Sequence, residues 1–229
     1  MNQIFRIIIH RFRDSTGQWT QEFEVTLDGS QTVLDGIEQI WIEQDRTLMF
    51  KHACHHASCG SCGVIINGQE KLPCITPMEN LADHSHTLEI EPLHNFPVLA
   101  DLVVDMARLF ESMHRIDAQI ISIKEIDQGE PQMQYSDCIE CGLCLSACPV
   151  VATDSGYIGP AALAAAYPPQ EISEEAWNTI QGEHGLWRCH ATFECSDVCP
   201  SNVDPAGKIM ALRRLQMAHT LKSVTGMTP

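Results

Sequence analysis

The chain carries eleven cysteines, and three runs use all of them. Cys54, Cys59, Cys62 and Cys74 follow C-x4-C-x2-C-x11-C; Cys138, Cys141, Cys144 and Cys148 follow C-x2-C-x2-C-x3-C-P; Cys189, Cys195 and Cys199 follow C-x5-C-x3-C-P. Thiolate sulfur is a soft ligand, and cysteines this close together on a tight loop curl around a metal cluster instead of running past it. The first run has the plant-type 2Fe-2S spacing, completed by Cys74. The second is a bacterial ferredoxin run, in which the cysteine before proline ligates the other cluster of a pair. Applied here, Cys138, Cys141 and Cys144 take Cys199 and hold a 4Fe-4S cluster, while Cys148 joins Cys189 and Cys195.

The last two runs are an internal repeat. Cys138, Cys141, Cys144, Cys148 and Pro149 move by 51 residues onto Cys189, Thr192, Cys195, Cys199 and Pro200. Thr192 therefore stands where the fourth thiolate of the last site belongs. A hydroxyl is not a soft anionic sulfur, so the pattern predicts a 3Fe-4S cluster on Cys148, Cys189 and Cys195. A 4Fe-4S cluster with water or hydroxide on its open iron is the alternative.

Competing uses of the same residues fit less well. Zinc ribbons space their cysteines as two separated pairs, not as a bunched C-x2-C-x2-C. Cys54-x-His56 imitates half of a Rieske site, but no downstream C-x2-H follows. His52, His55 and His56 then read as solvated loop residues or hydrogen-bond donors to the sulfurs, not as ligands. Disulfides between such near neighbours would constrain little, and the cysteine count is odd.

The elements that must position these loops divide the chain in two. At 229 residues and 44% hydrophobic content it can bury two cores. The expected organisation is α+β: an N-terminal 2Fe-2S ferredoxin-type (β-grasp) domain over residues 1–97, then an α-helical two-cluster ferredoxin-like domain over residues 98–229. Ile4 to Phe12 and Phe23 to Leu27 are strand candidates around the turn-forming Asp14-Ser15-Thr16-Gly17. Val33, Leu34, Ile37, Ile40 and Trp41 recur at helical spacing. Val64-Ile65-Ile66 precedes the hairpin signal Asn67-Gly68, and Leu88 to Glu91 is a last short strand. Beyond Pro97, Leu99, Leu102, Val103, Met106, Leu109 and Phe110 show helical periodicity. Ser173 and Asp204-Pro205 are helix starts.

Charge narrows the partners. A formal net charge of -16 excludes non-specific nucleic-acid binding, which needs Lys and Arg on phosphates. Residues 205–229 invert that balance with Lys208, Arg213, Arg214, Lys222 and no acid. That suits a face near anionic headgroups or an anchor subunit, or simply cations in the C-terminal half of a helix. Gln3 to Ile9 reads as a strand, not as a secretory signal, and no apolar run is long enough to span a bilayer. Membrane association is thus expected only through a partner.

Three unlike clusters, with no G-x-G-x-x-G or Walker sequence after a strand, point to an electron relay without a substrate site. The chain resembles the iron-sulfur subunit of succinate dehydrogenase and fumarate reductase, the respiratory complex II family. The resemblance lies in His52-Ala53-Cys54 through Cys62-Gly63, Cys74, Cys138-Ile139-Glu140-Cys141-Gly142-Leu143-Cys144, Cys148-Pro149, Ile158-Gly159-Pro160-Ala161-Ala162, and Cys189 through Cys199-Pro200 with Val203-Asp204-Pro205. It implies a flavoprotein partner with covalent FAD, an anchor able to carry haem b, and menaquinone or ubiquinone as the membrane partner. It also implies a peripheral place on the cytoplasmic side of the inner membrane. Pro149, His190 and Arg213 match positions near the quinone; for His190 a plain surface histidine is an equal reading. Thr153 stands where many ubiquinone-linked members carry tryptophan, which leans toward fumarate-reductase-like or menaquinone-linked members. The iron-sulfur subunit of another flavin-linked oxidoreductase, a thiol-linked fumarate reductase or a glycolate-oxidase-like complex, shares the cluster motifs and is the alternative.

Overall fold

The computed structural model describes residues 2–28, 30–80, 86–117, 138–168 and 172–225. The chain divides into two units, residues 1–106 with 139–146, and residues 107–138 with 147–229. The first begins as a long hairpin of β1 (Asn2–Arg13) and β2 (Gly17–Asp28), paired antiparallel from Asn2↔Asp28 to Arg13↔Gly17. Both strands run beyond the stretches read from sequence; in β2 the polar Glu22, Glu24 and Thr26 occupy the exposed face while Phe23, Val25 and Leu27 alternate inward. β3 (Val64–Ile66) and β4 (Gln69–Lys71) form the expected second hairpin. Its turn residues Asn67 and Gly68 have φ of 49° and 75°, the backbone a two-residue I′ connection needs. β5 (Thr87–Glu91) inserts parallel to β1 and antiparallel to β3, giving the order β2-β1-β5-β3-β4.

The helix α1 (Val33–Glu43) starts at a capping box in which Thr32 and Asp35 exchange side-chain and backbone hydrogen bonds. Its buried stripe of Val33, Ile37 and Ile40 shares one core with Phe5, Ile7, Ile9, Val25 and Leu27 from the strands. Gly36 lets the two layers approach: a Cβ there would lie 3.0 Å from the Ile7 Cδ1 atom. A mixed sheet grasping one helix is the expected β-grasp.

The helical periodicity read from Leu99 to Phe110 is corrected by the structure. β6 (Val98–Ala100) and β7 (Val103–Val104) form a small hairpin first, and the helix α2 is confined to Ala107–His114. The cause is Asp101. Its fully buried carboxylate accepts hydrogen bonds from Arg11, Arg13 and the backbone amides of Phe12 and Met49, with its own φ at 46°. A helix through this position would forfeit all of them.

Residues 143–146 form the short α3, within the first unit. The regular elements among the second unit's described residues are all helical: α2, α4 (Pro149–Thr153), α5 (Pro160–Ala165), α6 (Glu174–Gln181), α7 (Glu194–Asp197) and α8 (Pro205–Thr225), with a 3-10 turn at Leu186–Arg188. Ser173 caps α6 by accepting from the Ala176 amide at 3.1 Å. Asp204 caps α8 through its side chain, accepting from Gly207 N and Ser196 Oγ, although its backbone is left-handed at φ 53° instead of extended. α8 packs on α5 and α7 through Ile209 and Leu212, both fully buried. Residues 226–229 and the side chain of Lys222, part of the basic segment, lie outside the described residues. No helix among the described residues is long and apolar enough to cross a membrane.

Candidate metal centres

All eleven cysteines are described, and none is in a disulfide. In the first loop the chain reverses direction through left-handed residues His55, Ala57 and Gly60. The amides of His56, Ser58 and Cys59 thereby converge on the Cys54 sulfur at 3.5, 3.2 and 3.3 Å. These donors lower the Cys54 thiol to about 7, which favours the thiolate that a metal needs. Cys62 behaves oppositely. Burial pushes its thiol up to about 12, and Cys74 and Cys59 beside it add to the rise. Cys74 arrives on the turn Pro73–Ile75 directly after β4. Four cysteines on adjoining turns, with backbone amides aimed at Cys54 and burial holding back the ionisation of Cys62, form a donor set that a cationic iron cluster satisfies. Gly60 is required for a second reason: a Cβ would meet the Ile139 carbonyl oxygen at 2.3 Å.

The second run curls through Glu140 and Gly142, at φ 55° and 78°. Polar contacts within the first unit fasten the turn of helix beyond them. Asn95 donates to the carbonyls of Leu145 and Ser146, and the Ser146 hydroxyl accepts from His94 N while donating to Glu70. Cys141 and Cys144 belong to this unit, whereas Cys138 and Cys199 belong to the other. Cys199 accepts from the Val203 amide at 3.4 Å.

The third group is compact. Cys148 caps α4, where amides of Val151 and Val150 reach its sulfur, and it lies close enough to Cys189 and Cys195 for their charges to interact. Burial, reinforced by Cys148 and Cys189, pushes the Cys195 thiol up to about 12. Tyr157 completes the enclosure. Only 2% exposed, it lies within electrostatic reach of Cys189, Cys148 and Cys195; burial, with those sulfurs adding to it, raises its phenol far above the usual range. The sequence reading missed it, although a buried tyrosine hydroxyl always needs a partner. The turn presenting Tyr157 is held by Asp154, whose carboxylate accepts from Arg188 at 2.7 Å, His184 at 3.0 Å and Gly156 N at 2.9 Å. Those donors, Arg188 first, hold the Asp154 carboxyl far below its ordinary value.

Thr192 is exposed, and its hydroxyl donates to Glu194 at 3.3 Å. Pro149 and His190 are exposed beside the third group's cysteines in sequence. Arg213 is engaged differently: its guanidinium donates to the carbonyls of Leu186, at 3.1 and 2.9 Å, and Cys189, at 2.5 Å, and lies 5.2 Å from the Trp187 ring centre. It clamps the backbone that carries Cys189. Thr153 turns its hydroxyl onto the carbonyls of Pro149 and Val150.

Comparison with known proteins agrees with this geometry. The family described as "2Fe-2S iron-sulfur cluster binding domain" matches residues 6–111, and that described as "4Fe-4S dicluster domain" matches residues 134–203. The chain is thus a carrier of 2Fe-2S and 4Fe-4S clusters. The fumarate reductase iron-sulfur subunit of Mycobacterium tuberculosis is 35% identical over 221 residues, covering 89% of this chain and 88% of the relative. That of Escherichia coli is 37% identical over 202 residues, 82% of each. Among solved structures, a chain of the Mycobacterium smegmatis Sdh1 complex in the apo form superposes with a TM-score of 0.78 at 27% identity, over 93% of this chain and 95% of that one.

Proposed function

Because the chain belongs to the family of iron-sulfur subunits of succinate dehydrogenase and fumarate reductase, an electron-relaying part of that enzyme complex, we propose that it connects the FAD of a flavoprotein subunit to a membrane quinone. Bound clusters supply one-electron steps between a two-electron flavin and the quinone. Cys54, Cys59, Cys62 and Cys74 hold 2Fe-2S; Cys138, Cys141, Cys144 and Cys199 hold 4Fe-4S; Cys148, Cys189 and Cys195 hold 3Fe-4S. The observation carrying this reading is the third group: three sulfurs gathered under Tyr157, with Thr192 in the place of a fourth.

The protein's own residues tune and exclude. Amides on Cys54 offset negative charge at the first group, and the buried Tyr157 covers the third group against water. The N-terminal domain docks the flavoprotein and the helical domain docks the anchor, which keeps the chain at the cytoplasmic face of the inner membrane. Pro149 and His190 flank the quinone end. Arg213 acts there by fixing the backbone at Cys189.

Redox-titrated electron paramagnetic resonance of the complex purified anaerobically with its native partners tests the reading. An oxidised 3Fe-4S signal alongside reducible 2Fe-2S and 4Fe-4S signals is expected, with a covalently flavinylated partner and succinate-dependent quinone reduction. Absence of any 3Fe-4S signal overturns the third assignment. Absence of both flavin partner and quinone reduction overturns the relay in favour of a different flavin-linked oxidoreductase.

A further inference from the structure

We propose that Glu38, His52 and His55 form a binding site for a zinc-type divalent cation, distinct from the cysteine groups and built between α1 and the first cysteine loop. His52 Nδ1 lies 3.1 Å from Glu38 Oε1, His55 Nε2 lies 3.4 Å from the same oxygen, and the two ring nitrogens are 3.1 Å apart. Three donor atoms on three side chains thus make a nearly equilateral triangle. With Zn–N and Zn–O bonds of about 2.0–2.1 Å, the edge of a tetrahedral ligand set is about 3.3–3.4 Å. The triangle has the dimensions of one face of that tetrahedron, leaving the fourth corner for water.

Hydrogen bonding satisfies only part of this cluster: one imidazole nitrogen donates to the other across 3.1 Å, and the carboxylate is left over. Glu38 Oε1 is buried and makes no hydrogen bond despite having two imidazole nitrogens at contact distance. If both nitrogens carried protons for that oxygen, their N–H groups would crowd each other across 3.1 Å. A central cation uses all three lone pairs at once. Two imidazoles and one carboxylate are donors that zinc accepts readily, and no sulfur is involved.

The site is also held in shape. The His52 ring stacks on Phe50 at 5.1 Å and 16°, and Phe50 packs edge-on against Trp41 of α1. His55 is fixed in a left-handed conformation, φ 61°, by the same reversal that brings amides to Cys54. His52 and His55 flank Cys54 in sequence, so a dication there adds positive charge beside the first cluster and favours its reduced form.

The test uses the cluster-loaded complex, titrated anaerobically with zinc chloride and followed by calorimetry, zinc X-ray absorption and the 2Fe-2S resonance signal. One zinc per chain is expected with nitrogen and oxygen neighbours only, together with a positive shift of the 2Fe-2S midpoint potential. Glu38→Gln should weaken binding at least about tenfold, since losing even an outer partner costs about that much. His55→Asn removes one imidazole while keeping a residue that tolerates the left-handed backbone, and should weaken binding similarly. No binding, zinc with sulfur neighbours, or equal affinity in either variant that retains its 2Fe-2S signal each overturns the proposal. None of these readouts depends on quinone reduction, so the relay stands or falls separately.

Discussion

At the scale of single residues, the chemistry turns on which atom occupies each cluster corner. Thr192 is exposed and its hydroxyl is taken by Glu194, so a smaller, softer side chain at that position meets no packing obstacle. Thr192→Cys should supply the missing thiolate and convert the third cluster to 4Fe-4S. The oxidised 3Fe-4S resonance would then disappear, and a second reducible 4Fe-4S signal would replace it; persistence of the original signal in a folded variant sinks the ligand assignment. The three cysteine runs and the Thr192 substitution within the repeat were legible in the sequence because spacing alone encodes them. Tyr157 was not, because nothing local marks it: only the fold brings it within reach of Cys189. The same holds for Glu38, which meets His52 and His55 only after α1 packs beside the loop.

At the scale of elements, period and turn chemistry predicted what tertiary charge did not override. The β3–β4 hairpin, α1 and the start of α6 fell where Asn67-Gly68, the apolar stripe and Ser173 indicated. The stretch from Leu99 to Phe110 did not, since apolar spacing there is compatible with a helix and the deciding contact is remote. Asp101 is fully buried, and the Arg11 side chain beside it is 2% exposed. Burial works against the Asp101 charge, but hydrogen bonds from Arg11 and Arg13 outweigh it and hold the carboxyl below its usual range. Removing Asp101 leaves Arg11 with Asp45 as its remaining carboxylate and strands the Phe12 and Met49 amides, and each buried donor left unsatisfied costs about 1–3 kcal/mol. Asp101→Ala should therefore lower the denaturation midpoint of the cluster-loaded protein sharply. Asp14→Asn, at an exposed turn position, should shift stability by less than about 0.5 kcal/mol. Equal midpoints for the two variants would show that the β6–β7 hairpin is held by something other than this network.

At the scale of the whole molecule, the two units depend on iron to different degrees. The first has an apolar core of Phe5, Ile7, Ile9, Val33, Ile37, Leu88 and Ile90 that is closed without any cysteine. In the second, α4 and α7 have only five and four residues, far below the length at which a helix persists alone. Each carries or borders a ligand cysteine, and burial together with the neighbouring sulfurs opposes ionisation of Cys195 and Cys148. Under the proposed ligand assignment, iron offsets that opposition, and without it the segments lose the charge that draws them together. α5 and α8 still share Ile209, Leu212 and the Ala161–Ala164 run. Removing the clusters with an anaerobic chelator should therefore loosen the molecule selectively, as read by amide hydrogen exchange. Residues 148–153 and 189–199 should lose protection by orders of magnitude, and residues 54–62 should follow. β1, β5 and α1 should keep theirs, because their hydrogen bonds close on a core that contains no ligand. Uniform loss across Ile7, Ile9 and Ile37 would instead mean that the clusters, not the apolar core, hold the β-grasp together.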